Sequence, residues 1–439
     1  MNLIHADFDN DGLVDVLVLR GAWLSNHGEF PNSLLRNLGN FRFEDVTIAA
    51  GLLAKCPTQT ATWADFDRDG HVDLFIGNES SQGQTYPCQL FRNNGDGTFQ
   101  EVAEESGVAH VGFVKGVTSG DFDNDGQVDL FLSCFGQPNV LYKNTSSDGK
   151  LQFTDVTATA GVQQPEGSFP TWFWDYNNDG WEDLMVAPFS GFRFDGTSLS
   201  TVVSEYLGRE VTADRVHLYR NNQDGTFTNV APELGLDAAL LVMGANFGDL
   251  DSDGFLDCYL GTGDPHFSTL VPNRMFRNQG GQAFQDVTTS GGFGHIQKGH
   301  GISFGDIDGD GDEDIFAVMG GAIAGDVYQK VLFENPGHQN HWVTLRLLGT
   351  NSNRRGIGAR IQVTVQDAAG SRTIHRTVNS GGSFGAASLQ QEIGIGSATR
   401  IESIRIAWPT QAEPQVFNDV EPDRVYEVRE DSDSLQPVQ

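Results

Sequence analysis

Acidic side chains recur at fixed spacing in six nine-residue segments of this 439-residue chain. Each segment has oxygen-bearing side chains at its first, third, fifth and ninth positions and glycine at its sixth. The first aspartates are Asp7, Asp65, Asp121, Asp175, Asp249 and Asp306. Calcium is a hard cation that takes six to eight oxygen ligands, and alternate aspartates in a tight loop supply them. The segments therefore predict calcium binding, with about six ions per chain.

The predicted ligands of the first segment are the carboxylates of Asp7, Asp9, Asp11 and Asp15 and the backbone carbonyl of Leu13. The corresponding ligands of the other segments are Asp65, Asp67, Asp69, His71 and Asp73; Asp121, Asp123, Asp125, Gln127 and Asp129; Asp175, Asn177, Asp179, Trp181 and Asp183; Asp249, Asp251, Asp253, Phe255 and Asp257; and Asp306, Asp308, Asp310, Asp312 and Asp314. Asn177 keeps an oxygen ligand without the charge, so the fourth site is expected to be the weakest.

The alternative is that aspartate and glycine only favour turns. Six recurrences of the same acidic pattern in nine residues favour metal binding instead. Magnesium prefers a stiffer octahedron and zinc prefers His or Cys ligands, so calcium fits this set of ligands best.

Two further motifs keep step with the Asp segments. One has the form Leu-x-Arg-Asn at 34–37, 90–93 and 218–221, with the variants Leu-Tyr-Lys-Asn at 141–144, Met-Phe-Arg-Asn at 275–278 and Leu-Phe-Glu-Asn at 332–335. The other is a Phe-x-x-Val strand that follows most copies. Successive first aspartates are 58, 56, 54, 74 and 57 residues apart. Such a period, with short apolar strands between Gly and Asn turns, predicts about four strands per unit and an all-β fold, a calcium-binding β-propeller of six or seven blades. The extra residues in the 74-residue interval, within 189–214, are expected to form a long loop.

The repeat ends near residue 336, which is the predicted end of a propeller at 1–336. Longer alternating strands follow at 342–348, 357–366, 373–378 and 401–408. They predict a small β-sandwich-like domain at 340–430, and the polar tail at 431–439 is expected to be flexible.

Composition limits the possible partners. The chain has 59 acidic and 27 basic residues, with a formal charge of -32, which argues against nucleic-acid binding. There is no apolar run long enough for a membrane span, and no secretory signal is visible at residues 1–7. The four cysteines are too irregularly spaced for a disulfide scaffold, and a Cys56–Cys88 bridge is left open.

The Asp-Phe-Asp-Asn-Asp-Gly-x-Val-Asp segments, together with Leu-Phe-Arg-Asn and Asp-Val-Thr, resemble FG-GAP/VCBS propeller repeats from residue 1 to about 336. The segments at 352–360, 380–385, 393–396 and 404–409 resemble an ASPIC/UnbV domain, a pairing typical of the cartilage acidic protein family. The resemblance implies a secreted or cell-surface protein with about seven blades. It also implies calcium in the loops and protein or glycan partners in an oxidising, calcium-rich setting.

The candidate catalytic residues are His217, His266, His295 and His300, which lack metal-ligand spacing. The sequence contains no nucleophile elbow and no phosphate loop. The aromatic cluster at 169–174 is expected to be inner-strand packing. A basic cluster is expected to dock the second domain on the propeller, the alternative being an anionic partner. Its members are Arg354, Arg355, Arg360, Arg372 and Arg376.

The favoured function is an extracellular, calcium-stabilised binding protein that presents a propeller surface to a protein or glycan. Two alternatives stay open: an enzyme with its active site in the axial pocket, and a self-assembling surface or matrix component. Whether the chain is an enzyme is left open, with a non-catalytic role favoured.

Overall fold

Alternating apolar residues on both sides of each Asp segment form short antiparallel strands. The computed structural model describes residues 1–438 except 148, 190–196, 264–269, 321–324, 326–327, 368–369 and 382–383. Within these residues the first five repeats each form a four-stranded sheet, called blades 1 to 5, whose strands A to D pair in chain order from the inner to the outer edge. Each Asp segment is the loop between strands A and B.

The strands of the blades are as follows. Blade 1 contains β1 (Asn2–Ala6), β2 (Asp15–Leu19), β3 (Ser33–Asn37) and β4 (Phe43–Asp45), and blade 2 contains β5 (Thr58–Ala64), β6 (Asp73–Asn78), β7 (Gln89–Asn93) and β8 (Phe99–Glu101). Blade 3 contains β9 (Val114–Gly120), β10 (Asp129–Cys134), β11 (Val140–Asn144) and β12 (Phe153–Asp155), and blade 4 contains β13 (Ser168–Trp174), β14 (Asp183–Pro188), β15 (His217–Asn221) and β16 (Phe227–Asn229). Blade 5 contains β17 (Val242–Gly248), β18 (Asp257–Thr262), β19 (Arg274–Asn278) and β20 (Phe284–Asp286), and blade 6 contains β21 (Gly299–Gly305), β22 (Asp314–Met319) and β23 (Val331–Phe333).

Short helices occupy the connections. A 3-10 turn spans Ser25–Gly28, and α1 (Ala103–Ser106), α2 (Thr157–Ala160) and α4 (Ala231–Leu234) link successive blades. These three short helices end at glycines with left-handed backbone, the usual way to stop a helix. Within the 74-residue interval the structure has a ten-residue helix, α3 (Thr197–Tyr206), where a long loop was expected. None of the helices in the described ranges is long and apolar enough to cross a membrane.

After blade 6 the chain forms two further four-stranded sheets. Their strands are β24 (His341–Leu348), β25 (Arg360–Asp367), β26 (Gly370–Thr377), β28 (Gln391–Gly396), β29 (Ile401–Ala407), β30 (Gln415–Val420), β31 (Arg424–Arg429) and β32 (Gln436–Pro437). One sheet has the order β28-β24-β31-β32 and the other has the order β26-β25-β29-β30. Valine and isoleucine side chains of both sheets share one core, as in a β-sandwich. The tail differs from expectation because β32 pairs with β31.

A two-residue strand, β27 (Gly385–Ala386), leaves this C-terminal module and enters the ring. It pairs in parallel with the inner edge of β21 and also contacts β1. Phe384, just before it, stacks on Phe169 of blade 4, with ring centroids 5.3 Å apart. The segment therefore fills the ring axis, which the sequence did not predict.

In blades 2 to 6 the asparagine at the end of the Leu-x-Arg-Asn motif joins neighbouring blades. Asn144 of blade 3 is fully buried, and its Nδ2 donates to the carbonyl of Phe66 in blade 2 at 2.9 Å and to that of Val128 in its own blade at 3.0 Å. The asparagine of the Leu-x-Arg-Asn motif therefore links two blades by hydrogen bonds, because a buried amide needs partners for its hydrogens. The same cross-blade bond is made by Asn93, Asn221, Asn278 and Asn335.

Aromatic packing follows the expectation at 169–174, where Trp172 and Trp174 are buried between blades 4 and 5. All four cysteines are free thiols, so no Cys56–Cys88 bridge forms.

Replacing Asn144 by alanine leaves the carbonyls of Phe66 and Val128 without their donor. We expect the free energy of unfolding to fall by about 1–3 kcal/mol. The matched control is Asn37→Ala, because the side-chain amide of Asn37 donates only within blade 1, to Val14. Denaturant titration should show the smaller loss for Asn37→Ala, and equal losses would contradict the cross-blade role.

Candidate metal centres

Two left-handed residues shape every Asp loop. The sixth residue is always glycine with positive φ, from 84° at Gly126 to 98° at Gly311, a conformation that glycine adopts without strain. The fourth residue is also left-handed, for example Asn10 with φ 58° and Asn124 with φ 59°. Asparagine tolerates this region better than most residues, so residue type explains the turn at the sixth position of every loop and at the fourth position of the three loops with asparagine. The second and fifth loops have Arg68 and Ser252 at the fourth position, with φ 59° and 50°.

The turn wraps backbone N–H groups around the aspartates. Asp7 Oδ2 accepts from the N–H of Gly12 at 2.8 Å, and Asp11 Oδ1 accepts from the N–H of Leu13 at 2.7 Å. The first aspartate of every other loop accepts from its glycine in the same way. In four loops the second oxygen of the first aspartate also accepts a backbone N–H, from the fifth residue, as Asp65 Oδ1 does from Asp69.

The ninth aspartate fastens the loop to strand C. Asp129 is fully buried, and its two oxygens accept from the N–H of Phe122 at 3.1 Å and of Asn144 at 2.7 Å. Because the side chain of Asn144 also bonds the preceding blade, the third loop is connected to that blade through one residue.

Carboxylates from the predicted ligand sets converge in five of the loops. In each, three ligand oxygens lie within 4.8 Å of one another. The first three loops use the ninth aspartate, and the last two use the fifth. The groups are Asp7, Asp9 and Asp15; Asp65, Asp67 and Asp73; Asp121, Asp123 and Asp129; Asp249, Asp251 and Asp253; and Asp306, Asp308 and Asp310.

The residues fit a hard divalent cation. Buried carboxylate oxygens without a hydrogen-bond partner remain at Asp7, Asp67, Asp123, Asp249 and Asp251. Buried acceptors are normally satisfied, so these atoms need a positive partner in the loop. With such an ion bound, Asp oxygens would be its ligands and its charge would offset their mutual repulsion.

Burial raises the pKa of several of these groups. Desolvation raises the pKa of Asp15 and Asp65 to about 7, partly opposed by backbone hydrogen bonds. The pKa of the fully buried Asp73 is raised well above its usual value, first by desolvation and then by the neighbouring Asp67. A cation that replaces these protons would relieve both effects.

The fourth loop is arranged differently. Asp175, Asp179 and Asp183 are absent from the convergent groups found among the described residues. The Asn177 side chain turns its Nδ2 toward Asp179 Oδ2, at 3.2 Å, and its oxygen accepts from the N–H of Asp179. An amide hydrogen therefore faces the carboxylate where a cation is predicted.

Sequence reasoning missed a cationic side chain beside several loops. Arg92 Nε donates to Asp67 Oδ2 at 2.7 Å, Lys143 pairs with Asp123, and Arg277 pairs with Asp251. Each precedes the asparagine of the Leu-x-Arg-Asn motif, so the basic residue of that motif was the available signal. Blade 6 has Glu334 at this position.

The backbone ligands predicted at Leu13, His71, Gln127, Trp181, Phe255 and Asp312 stay a prediction. Their N–H groups bond the fifth aspartate of each loop.

The C-terminal module packs on the face of the ring that carries the Asp loops, here called the Asp-loop face. Arg376 Nη2 lies 3.3 Å from Asp249 Oδ2, and Arg360 Nη1 lies 3.5 Å from Asp121 Oδ2. Two further arginines bond loop backbone: Arg355 donates to the carbonyl of Gly12, and Arg372 donates to that of Asp253. The basic cluster therefore docks the module on the loops, as the sequence favoured.

The candidate catalytic histidines are not brought together. His217 Nδ1 contacts the carbonyl of Arg215, and the ring of His295 packs against Tyr328. His300 lies in β21, and His266 lies outside the described residues. No histidine belongs to a metal-compatible group in the described ranges.

These loops and sheets define a β-propeller of Asp-loop repeats joined to a β-sandwich module. The FG-GAP-like repeat family matches residues 7–76, 65–132, 121–186, 199–260 and 262–317, and the ASPIC and UnbV family matches residues 349–435. The chain belongs to the FG-GAP-like repeat family.

Among curated proteins the chain resembles cartilage acidic protein 1. It is 30% identical to the Xenopus tropicalis protein over 210 residues, which are 48% of this chain and 29% of that protein. Identity to the Homo sapiens protein is 30% over 211 residues, 47% of this chain and 28% of that protein. The matched region thus spans less than a third of the length of these relatives.

Two solved structures align with most of the chain. The exotype rhamnogalacturonan lyase YesX has a TM-score of 0.41 and 12% identity, covering 95% of this chain and 71% of the lyase. The V. cholerae biofilm matrix protein Bap1 has a TM-score of 0.33 and 10% identity, covering 96% of this chain and 71% of that chain.

The Asn177→Asp variant should raise the affinity of the fourth loop for a cation by about tenfold, because a fourth carboxylate replaces an amide. Terbium luminescence sensitised by Trp181, which lies within this loop, measures the change. Trp181→Phe identifies the signal of this loop, and Asn418→Asp on the exposed side of β30 controls for charge alone. Equal terbium affinity in the Asn177→Asp variant and the unaltered chain would show that the third position does not bind the ion.

Proposed function

We propose that this chain is an extracellular, calcium-stabilised binding protein whose propeller presents a surface to a protein or glycan. The six Asp loops are its calcium sites, with the ligand sets given above, and calcium acts on the scaffold. The division into a propeller at 1–336 and an ASPIC/UnbV-like module at 340–430 belongs to the same proposal. Secretion and a matrix partner are supported by the likeness to cartilage acidic protein 1.

The observation that carries a binding role is the filled axis. Asn246 Nδ2 donates to the carbonyl of Ala386 at 2.9 Å, and Ile302 N–H donates to that of Phe384 at 3.1 Å. Under the module, a cavity of about 80 Å³ borders Phe173, Glu313 and Glu392, and the axial cavity beside Thr118 has a volume of about 10 Å³. This is about the space of one water molecule, so the axial pocket gives little support to the enzyme alternative.

The face opposite the Asp loops is the better candidate surface, because the module covers the loops. The connection between β2 and β3 crosses this opposite face toward the axis. It exposes Leu24 (48%) and Phe30 (49%), and it places Trp23 against Phe113, with ring centroids 5.4 Å apart. Exposed apolar and aromatic side chains grouped in this way are typical of interaction sites.

A buried ion pair supports this surface from below. Lys115 and Glu79 are both fully buried and bond each other, and Lys115 Nζ lies 3.2 Å from the centroid of the Trp23 ring. The N–H of Trp23 also donates to Glu79 Oε2 at 2.6 Å. The connection is therefore held in place, which lowers the entropic cost of binding a partner.

Calcium removal should destabilise the protein. We expect a chelator to lower the melting temperature by about 5 °C or more, because ions that bind only the folded state stabilise it. The folded pKa of Asp15 and Asp65, raised to about 7, exceeds the usual unfolded value near 4. Between these values the metal-free fold binds more protons than the unfolded chain, so its stability rises as pH falls.

Calcium must displace those protons, so the difference in melting temperature with and without calcium should shrink as pH falls from about 8 to about 5. Differential scanning calorimetry at several pH values measures this difference. Melting that is insensitive to the chelator at about pH 8 would contradict calcium binding, and a pH-independent difference would contradict the role of the buried carboxylates.

A partner bound on the opposite face should be lost when Leu24 and Phe30 are both replaced by serine. The measurement is a glycan and matrix-protein screen in millimolar calcium, followed by titration of each hit. Val416→Ser is the matched control, because Val416 is 49% exposed on the C-terminal module. If the double variant and the control bind the partner with equal affinity, the binding surface lies elsewhere. Chemical conversion of a screened compound by the protein would favour the enzyme alternative.

A further inference from the structure

The asparagine at the fourth position of an Asp loop makes two contacts in the first loop. The Nδ2 of Asn10 donates to the carbonyl of Gly70 in the second loop at 3.0 Å, and its Oδ1 accepts from the N–H of Arg354 in the C-terminal module at 2.7 Å. The same two bonds are made in the fourth loop by Asn178, to Gly254 at 2.8 Å and from His375 at 3.0 Å. One side chain therefore links its own loop, the next loop and the module.

The third loop makes the first of these contacts but not the second. The Nδ2 of Asn124 donates to the carbonyl of Gly180 in the fourth loop at 3.2 Å. Its Oδ1 is buried and accepts no hydrogen bond from the residues that the structure describes. Buried acceptors are normally satisfied, so this oxygen needs a donor that the module supplies in the first and fourth loops but not here.

A cavity of about 190 Å³ lies beside Asn124, between the ring and the module. The second and third Asp loops border it through Asp65 and Asp121, and the module borders it through Trp408. A cavity of about 150 Å³ accommodates benzene, so a single small ring fits this one. The cavity opens to solvent beside three lining residues that are exposed, Arg68, Gly126 and Ala407.

The charged groups that line the cavity balance one another. Asp121 Oδ2 lies 3.5 Å from Arg360 Nη1, and Arg360 Nη2 donates to the carbonyl of Gly180 at 2.8 Å. The other two charged side chains are Asp65 and Arg68. Two carboxylates and two guanidinium groups leave no net charge in the lining, so the cavity favours neither a cation nor an anion.

The lining also combines a hydrogen-bond acceptor with hydrogen-bond donors. Asn124 Oδ1 needs a donor, as described above. Arg68 Nε donates to the carbonyl of Pro409 at 2.9 Å, whereas its Nη groups have no acceptor within the described ranges. A hydroxyl group serves both needs, because it donates one hydrogen bond and accepts others.

The rest of the wall is apolar. Ile357, Val378 and Trp408 border the cavity and are at most 3% exposed. Binding sites for small molecules typically combine such apolar walls with a few polar groups that fix the orientation of the ligand. The carbon atoms of a ring would contact this wall, while its hydroxyl groups face the polar side.

We propose that this cavity binds a neutral polyhydroxylated molecule of the size of one sugar ring. One of its hydroxyl groups donates to Asn124 Oδ1, and another accepts from the guanidinium of Arg68. The site does not rest on the function proposed above, because it lies on the Asp-loop face and Asn124 is not a predicted calcium ligand. The bound molecule contacts the propeller and the module at once.

The test is binding of glucose, galactose, mannose and sorbitol to the full chain in calcium, by saturation-transfer NMR and then calorimetry. We expect at least one of them to saturate with a Kd of about 1–10 mM, and glucuronate and protonated glucosamine to bind more weakly. Asn124→Gly, which keeps the left-handed turn, should weaken binding by about tenfold or more. Asn178→Gly is the matched control and should leave it unchanged, because Asn178 does not border the cavity.

A second pair of variants does not depend on the loops. Ala407→Trp should block the mouth of the cavity and abolish binding, whereas Arg405→Trp, exposed two residues earlier on β29 and outside the lining, should not. This pair decides if Asn124→Gly does not fold. The double replacement of Leu24 and Phe30 by serine should retain sugar binding, which separates this site from the opposite face.

Several results would overturn the proposal. Absence of saturable binding by all four neutral compounds would mean that the cavity holds only water. Tighter binding of glucuronate or glucosamine would contradict a neutral ligand. Equal losses for Asn124→Gly and Asn178→Gly, equal losses for Ala407→Trp and Arg405→Trp, or loss only in the Leu24 and Phe30 double variant would place the sugar elsewhere.

Discussion

Each blade depends on an aspartate carboxylate that is buried without a neutralising side chain of its own. The ninth aspartates of the six loops are at most 2% exposed. Five of them accept backbone N–H bonds both from the loop and from the asparagine of the Leu-x-Arg-Asn motif, and Asp183 accepts the bond from Asn221. Hydrogen bonds to a buried carboxylate stabilise its charge only in part, so the charged form is favoured when a cation lies beside it.

Few basic side chains lie beside the loop carboxylates. They come from two parts of the protein, strand C of the blades and the C-terminal module. Strand C supplies Arg92, Lys143 and Arg277 to three loops of the same blades. The C-terminal module supplies Arg360 and Arg376 to the first aspartates of two loops. With a formal charge of -32, these contacts leave most loop carboxylates uncompensated. Docking of the module and the proposed binding of calcium would therefore meet the same electrostatic requirement on one face of the ring.

The repeat itself was predictable because it is local. Asp-x-Asp-x-Asp-Gly specifies a turn through the left-handed glycine, and the flanking apolar residues specify strands, so blades and loops followed from short windows of sequence. The ASPIC/UnbV resemblance likewise located the module. What the sequence did not show depends on contacts between distant residues. These are the helix Thr197–Tyr206, the pairing of β27 with β21, and the basic residue of strand C that turns back to its own loop.

The exposure of the outer face of blade 1 also depends on contacts between residues that are distant in the sequence. A strand D phenylalanine looks the same in the sequence of blade 1 as in that of blade 2, yet Phe43 is exposed and Phe99 is buried. The difference lies only in whether another blade stands beside it. The ninth aspartate and the strand C asparagine link a loop to the neighbouring blade, so blade 1 has the candidate metal ligands but, among the described residues, no such link from Asn37.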